Sequence, residues 1–266
     1  MKKAAASSVQ IFFIYTYLLF WILFFITGGS IYIKAPQFIQ TIMKYVCAWT
    51  STFIFVLLFR KIYPNYSLLE YFKKQFTNAK ISNFVIPMII QISIVFIAIV
   101  CVVNIENESI KNVKFVDASK LLQLFIANIL YGPMGEELGW RSYALNELQK
   151  KHSPLVASLI IGSLWGFWHF PLWFMSGYSS YALVSYILFF MISLILLSVF
   201  LTFFYNESKN ILIAIWIHFL FNYLLQIAIL NNLKLLIFTS IFYLIAVILI
   251  VVFNKEKMLK IRKSET

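Results

Sequence analysis

Residues 121–141, LLQLFIANILYGPMGEELGWR, decide how the chain is laid out. The first half is apolar enough to enter lipid, whereas Gly132, Pro133, Glu136, Glu137 and Arg141 interrupt a simple hydrophobic helix. Read as one span, it is the fourth of eight apolar stretches, at approximately 11–26, 39–59, 84–103, 121–138, 155–174, 181–204, 211–229 and 233–253. As helix, roughly 20 residues at 1.5 Å rise cover about 30 Å of hydrocarbon. The expectation is an all-α, polytopic membrane protein of about eight transmembrane helices.

Composition points the same way. Of 266 residues, 62% are hydrophobic and 12% charged, against roughly 45–50% and about 25% in an ordinary soluble domain. A mean hydropathy of +0.86 excludes a water-soluble globule. With Gly 8, Pro 6 and Cys 2, collagen-like and disulfide-scaffold classes are excluded as well. Cys47 and Cys101 fall inside apolar stretches and read as small core hydrophobes. No half of the chain repeats the other, and the longest polar connections, about 60–83 and 104–120, are too short for a soluble domain. Residues 1–266 therefore read as a single membrane domain.

A net charge of +12 would suggest nucleic acid in a soluble protein, but in a membrane protein the basic residues are first sorted by side. Lys2 and Lys3 precede a long apolar run with no Ala-x-Ala site, which reads as an uncleaved first span. With eight spans, Lys2, Lys3, Arg60, Lys61, Lys73, Lys74, Lys80, Arg141, Lys150, Lys151, Lys209 and the tail Lys255, Lys257, Lys260, Arg262 and Lys263 share one side. Only Lys34, Lys44, Lys111, Lys114, Lys120 and Lys234 fall on the other. The bias predicts cytoplasmic N and C termini and a multi-pass protein of the cell membrane, with the lipid bilayer and no nucleic acid as partner.

Charged groups inside a span cost about 2.5–3.5 kcal/mol each on insertion scales, so those that persist need a partner or a task. Glu137 and Arg141 are four apart and can pair on one helix face. Glu136 is left over, and a carboxylate in a poorly hydrated cavity is disposed to exchange a proton, as a general base or proton carrier must. The competing reading is a solvated helix end. His169, among Trp165, Phe167, Trp168 and Phe170, fits a hydrogen-bonded core residue as well as a catalyst. His218 and Asn222, again four apart, offer an imidazole and an amide to the same space. His152 reads as a plain loop residue. The set supplies an activated water and oxyanion donors for peptide hydrolysis. Glu136, His169 and His218 are equally candidate zinc ligands, although no His-Glu-x-x-His is present and the three come from separate helices.

The order Glu-Glu-x-x-x-Arg, then an aromatic with His four later, then His-x-x-x-Asn, resembles the CPBP family of CAAX proteases and bacteriocin-processing enzymes, also called Abi. Residues 136–145 and 164–171 carry the resemblance most closely, within a core of about 121–225. It implies an eight-helix intramembrane endopeptidase, metallo- or glutamate-type, whose cavity opens toward the cytosol. Glu136 and His169 would activate water, His218 and Asn222 would stabilise the oxyanion, and Glu137 with Arg141 would hold the site together. Two residues depart from the pattern: Trp165 stands where Phe is common, expected to act as an aromatic wall, and Ser142 replaces a Gly. The substrate implied is a membrane-associated peptide or protein. Richness in Lys, Ile, Asn and Phe suggests a low-GC bacterium, hence peptide precursors or bacteriocin immunity rather than prenylated tails. The rival readings are a proton-coupled secondary transporter using Glu136, His169 and His218, which lacks the repeated halves such proteins show, and a non-catalytic immunity or scaffold protein.

Counting rise along straight spans sets a test. Glu136 falls about 22 Å from the outer surface and His169 about 21 Å from the inner one. In a slab of about 30 Å these levels disagree by some 13 Å.

Overall fold

The computed structural model describes residues 2–76 and 80–261, with side chains from Ser8 onward. Arg262 and Lys263 of the basic tail, and the side chains of Lys2 and Lys3, lie outside what is described. The order of elements is α1 (Lys2–Tyr32), α2 (Gln37–Ala48), α3 (Thr50–Ile62), α4 (Leu68–Gln75), α5 (Ser82–Ile105), a 3-10 turn (Ile110–Asn112), β1 (Lys114–Phe115), α6 (Ala118–Tyr131), α7 (Pro133–Glu137), a π-helix (Leu138–Leu145), α8 (Asn146–Gln149), α9 (Pro154–Trp168), α10 (Phe170–Trp173), α11 (Ser180–Ser208), α12 (Ile211–Ile227), β2 (Ala228–Ile229), α13 (Asn232–Phe253) and α14 (Lys255–Leu259). The two short strands pair antiparallel, Lys114 with Ile229 and Phe115 with Ala228.

The chain is a helical, multi-pass membrane protein, but the expectation of eight spans is overturned. Among the described residues 4 helices are long and apolar enough to cross a bilayer: Ser8–Tyr32, Ser82–Ile105, Ser180–Ser208 and Asn232–Phe253. A fifth exists only if α2 and α3, bent by 54° at Trp49, count as one span. The stretch at 121–138 breaks at Gly132, because Pro133 has no N–H with which to continue the helix. The stretch at 155–174 ends as α9 at Trp168, with Pro171 just beyond. At 15 and 17 residues, α9 and α12 extend only about 22–26 Å as helix. Apolarity misled the count because a helix buried among other helices needs it as much as one facing lipid. The deduction of cytoplasmic termini from an even count of eight falls with it.

Small residues set the closest packing. A Cβ on Gly162 of α9 would lie 2.6 Å from the Ile195 Cα of α11, and Ser198 Oγ donates to the Ser158 carbonyl at 2.9 Å. Close backbone approach of this kind, with hydroxyls bonded across, is how helices associate where lipid offers no hydrophobic drive. Ser193 and Ser240 hydroxyls (2.7 Å) join α11 to α13, and Tyr243 donates to Gln91 Oε1 (2.5 Å), joining α13 to α5. On the other side of α9, α1 runs in the same direction: Tyr17 donates to the Leu164 carbonyl, and Trp21 Nε1 to the Trp168 carbonyl at 3.1 Å.

These contacts orient the molecule. The N-terminal half of α1 packs Phe12 and Phe13 on Trp140 of the π-helix. Nearby, Lys150 pairs with Glu147 (2.5 Å) and Lys209 Nζ donates to Asn146 Oδ1 (2.9 Å), so this is the lysine-rich end. A cavity of about 270 Å³ instead reaches Gly28, Ile31, Lys44 and Met175, at the other end of α1 and α9.

Candidate active site

The break at Gly132 builds the site. Helix α6 leaves its last carbonyls without intrahelical donors, and Trp49, at the bend between α2 and α3, donates Nε1–H to the Leu130 carbonyl at 2.9 Å. The same indole fills the space where a Cβ on Gly135 would sit, 2.5 Å from Trp49 Cδ1. Ser51 of α3 donates to the Gly135 and Glu136 carbonyls (3.3 and 3.1 Å). A Cβ on Gly139 would lie 2.7 Å from the Ser51 carbonyl oxygen. Helix α7 is thus clamped backbone to backbone, and the chain widens into eight wholly buried π-helical residues. Such segments are rare and concentrate at functional sites.

Glu137 and Arg141 are both fully buried. Arg141 Nη1 donates to Glu137 Oε1 at 3.2 Å, and Nε lies 3.1 Å from Oε2. His218 Nδ1 meets the same Oε1 at 2.7 Å. A carboxylate only accepts, so Nδ1 carries the proton and, in the neutral ring, Nε2 has the free lone pair. His169, following α9, has Nδ1 2.7 Å from the Trp165 carbonyl, which by the same logic leaves its Nε2 free.

Glu136 is 4% exposed and makes no ion pair with Arg141. Its Oε2 accepts from Trp165 Nε1 at 2.5 Å. Its Oε1 turns to Gly132, where an added Cβ would lie 3.1 Å from Oε1 and 3.6 Å from both Asn222 Nδ2 and His218 Cε1. Three of the residues named from sequence thus surround one point left open by a glycine. Glu136, His169, His218 and Asn222 all line one cavity of about 270 Å³, whose other walls include Phe20, Phe24, Leu172 and Phe190. Glu137 and Arg141 stand behind it, touching His218 and Trp165. His152 is remote from this cavity, and the Ser142 hydroxyl lies 2.7 Å from that of Tyr71. The mismatch of depth disappears because α6 stops at Gly132 and α9 at Trp168, so neither residue sits on the straight span that the counting assumed.

Two participants carried no weight in the sequence reading, Trp49 and the Trp165 indole N–H; Gly132, read there as an interruption of the helix, also leaves room beside the Glu136 carboxylate. Gly132→Ala is expected to place a methyl group between Glu136, His218 and Asn222 and to lower peptide cleavage by about tenfold or more. The methyl would lie 3.1 Å from Glu136 Oε1, so the carboxylate must give way by a few tenths of an ångström, while the surrounding backbone is not displaced and the thermal midpoint should stay close to that of wild type. Initial rates and a thermal melt of the purified variant check this. A variant as active as wild type would show that the point is not where a reacting atom sits.

Among the described residues no group of three or more His, Cys, Asp or Glu side chains could hold a metal ion. Glu136, His169 and His218 share a cavity without closing into such a donor set, so they do not fit zinc, and the chemistry below runs through the side chains themselves.

Residues 118–224 match the Rce1-like family, type II CAAX prenyl endopeptidase. A protein called CAAX prenyl protease 2, from Methanococcus maripaludis, is 33% identical over 120 residues, which are 43% of this chain and 44% of that protein. The chain thus spans less than half the length of this relative. The matched segment holds Glu136, Glu137, Arg141, His169, His218 and Asn222 together. In motif order and in both matches, segment 118–224 of the chain is similar to the Rce1-like CAAX endopeptidases.

Proposed function

We propose that the chain is an intramembrane endopeptidase that hydrolyses a peptide bond of a membrane-associated peptide or protein. The carrying observation is that Glu136, His169, His218 and Asn222, from three separate helical regions, line a single cavity backed by the Glu137–Arg141 pair. The Rce1-like match and the name of the relative support the same class of chemistry. Residues 121–225 act as the catalytic core of a single membrane domain, and the composition supports a bacterial cell membrane as its location.

In this mechanism Glu136 Oε1, helped by His169 Nε2, takes a proton from water. The hydroxide adds to the substrate carbonyl carbon. Asn222 Nδ2–H donates to the oxyanion, with His218, held through Nδ1–H by Glu137, beside it. The proton held by Glu136 passes to the departing amide nitrogen as the carbon–nitrogen bond breaks. Positioned donors of this type contribute about 10²–10³ in rate and a positioned acid–base about 10²–10⁴. The phenylalanine and leucine walls favour apolar side chains beside the scissile bond.

Purified protein in lipid vesicles is expected to cleave members of a quenched fluorescent peptide library. His169→Ala and His218→Ala should each lose about 100-fold or more in kcat/KM, and a zinc chelator should leave the rate unchanged. Absence of cleavage by wild type, or full activity in both alanine variants, would overturn the assignment. Proton flux into the vesicles without cleavage would point to a transporter instead.

A further inference from the structure

Trp165 was expected to act as an aromatic wall. It also touches Glu136, Arg141, His169 and His218. Its side chain is fully buried, and its Nε1–H points at Glu136 Oε2 at 2.5 Å. The Arg141 guanidinium carbon lies over its ring, 4.2 Å from the centroid. The rings of His218 and His169 stand edge-on at 4.9 and 5.9 Å, and its own carbonyl receives the His169 Nδ1 proton. A phenylalanine, although smaller than the indole, would keep an aromatic face for the guanidinium and the backbone carbonyl. It would lack the donor.

We propose that Trp165 is a positioning residue for hydrolysis: its indole N–H holds Glu136 Oε2 and thereby turns Oε1 toward Gly132, His218 and Asn222. This rests on the endopeptidase reading for its kinetic consequence, but not for the contact itself. The Glu136 side chain has two torsions after Cβ that a cavity wall alone leaves free, and a charge-assisted hydrogen bond fixes them. Because the other oxygen has no hydrogen-bond partner among the described residues, a single donor decides which face of the carboxylate water meets. The ring also brings the Arg141 cation beside the site without letting it pair with Glu136, which would take Oε1 out of use.

The test separates donor from shape. In wild type labelled with nitrogen-15 at tryptophan, in nanodiscs, the indole signal lost in Trp165→Phe identifies this residue. It should lie downfield and move upfield in Glu136→Gln. Trp165→Phe should lower kcat about 10- to 100-fold with KM changed by no more than about twofold. Benzothienylalanine at position 165, which keeps the shape and puts sulfur in place of N–H, should lose as much. Wild-type kcat in the benzothienylalanine protein, or an indole signal indifferent to Glu136→Gln, overturns the proposal. If wild type cleaves no peptide while the indole signal still responds to Glu136→Gln, the endopeptidase reading has failed and the Trp165–Glu136 contact stands.

Discussion

Glu136→Gln is expected to lower kcat/KM about 10²- to 10⁴-fold, the range over which a positioned acid–base acts, while leaving the protein as stable as wild type. The two side chains are nearly isosteric, and the amide oxygen can still accept from Trp165 Nε1 across the 2.5 Å contact. What the amide cannot do is take a proton from water. Stability should not suffer, because a buried carboxylate that makes no ion pair with Arg141 contributes a desolvation cost that the neutral amide avoids. Initial rates on a cleaved peptide, set beside thermal midpoints of both proteins, measure the two effects separately. Full turnover in the variant would transfer the base to His169.

The opposite pattern is expected of Arg141→Ala. Breaking a buried ion pair by removing one partner costs about 3–5 kcal/mol, because the remaining charge is left in a place without water. Here the remaining charge is Glu137, fully buried and shared with His218 at 2.7 Å. Alanine also removes the group that lies over the Trp165 ring. Folded yield and thermal midpoint in detergent should fall sharply, with activity falling as a result. The double variant Glu137→Gln with Arg141→Met removes both charges and should recover much of the midpoint, since such a replacement is often neutral. An Arg141→Ala protein that melts with wild type would show that the pair is not holding the site.

The order of the three motifs was legible because each is local: residues four apart on a helix share a face whatever the helix packs against. The pairing of Glu137 with Arg141 is of this kind. The number of spans was not legible, since α9 and α12 are as apolar as α5 yet are shorter and pack inside the bundle. The 14 residues of α6 looked like most of a span for the same reason. Depth failed with the span count. The roles of Gly132 and Trp165 depend on contacts with residues far away in sequence, and an indole reads as hydrophobic until its N–H is seen to have an acceptor. The short β1–β2 pairing, two residues each, gave no alternating pattern to read.

The helices that carry the chemistry are the ones too short to be handed to lipid singly. Insertion during synthesis can stabilise α5, α11 and α13 on their own length, whereas α7 and the π-helix cannot satisfy their ends in hydrocarbon until a scaffold surrounds them. Biogenesis therefore has a built-in order, with the long helices placed first and the reactive groups gathered last.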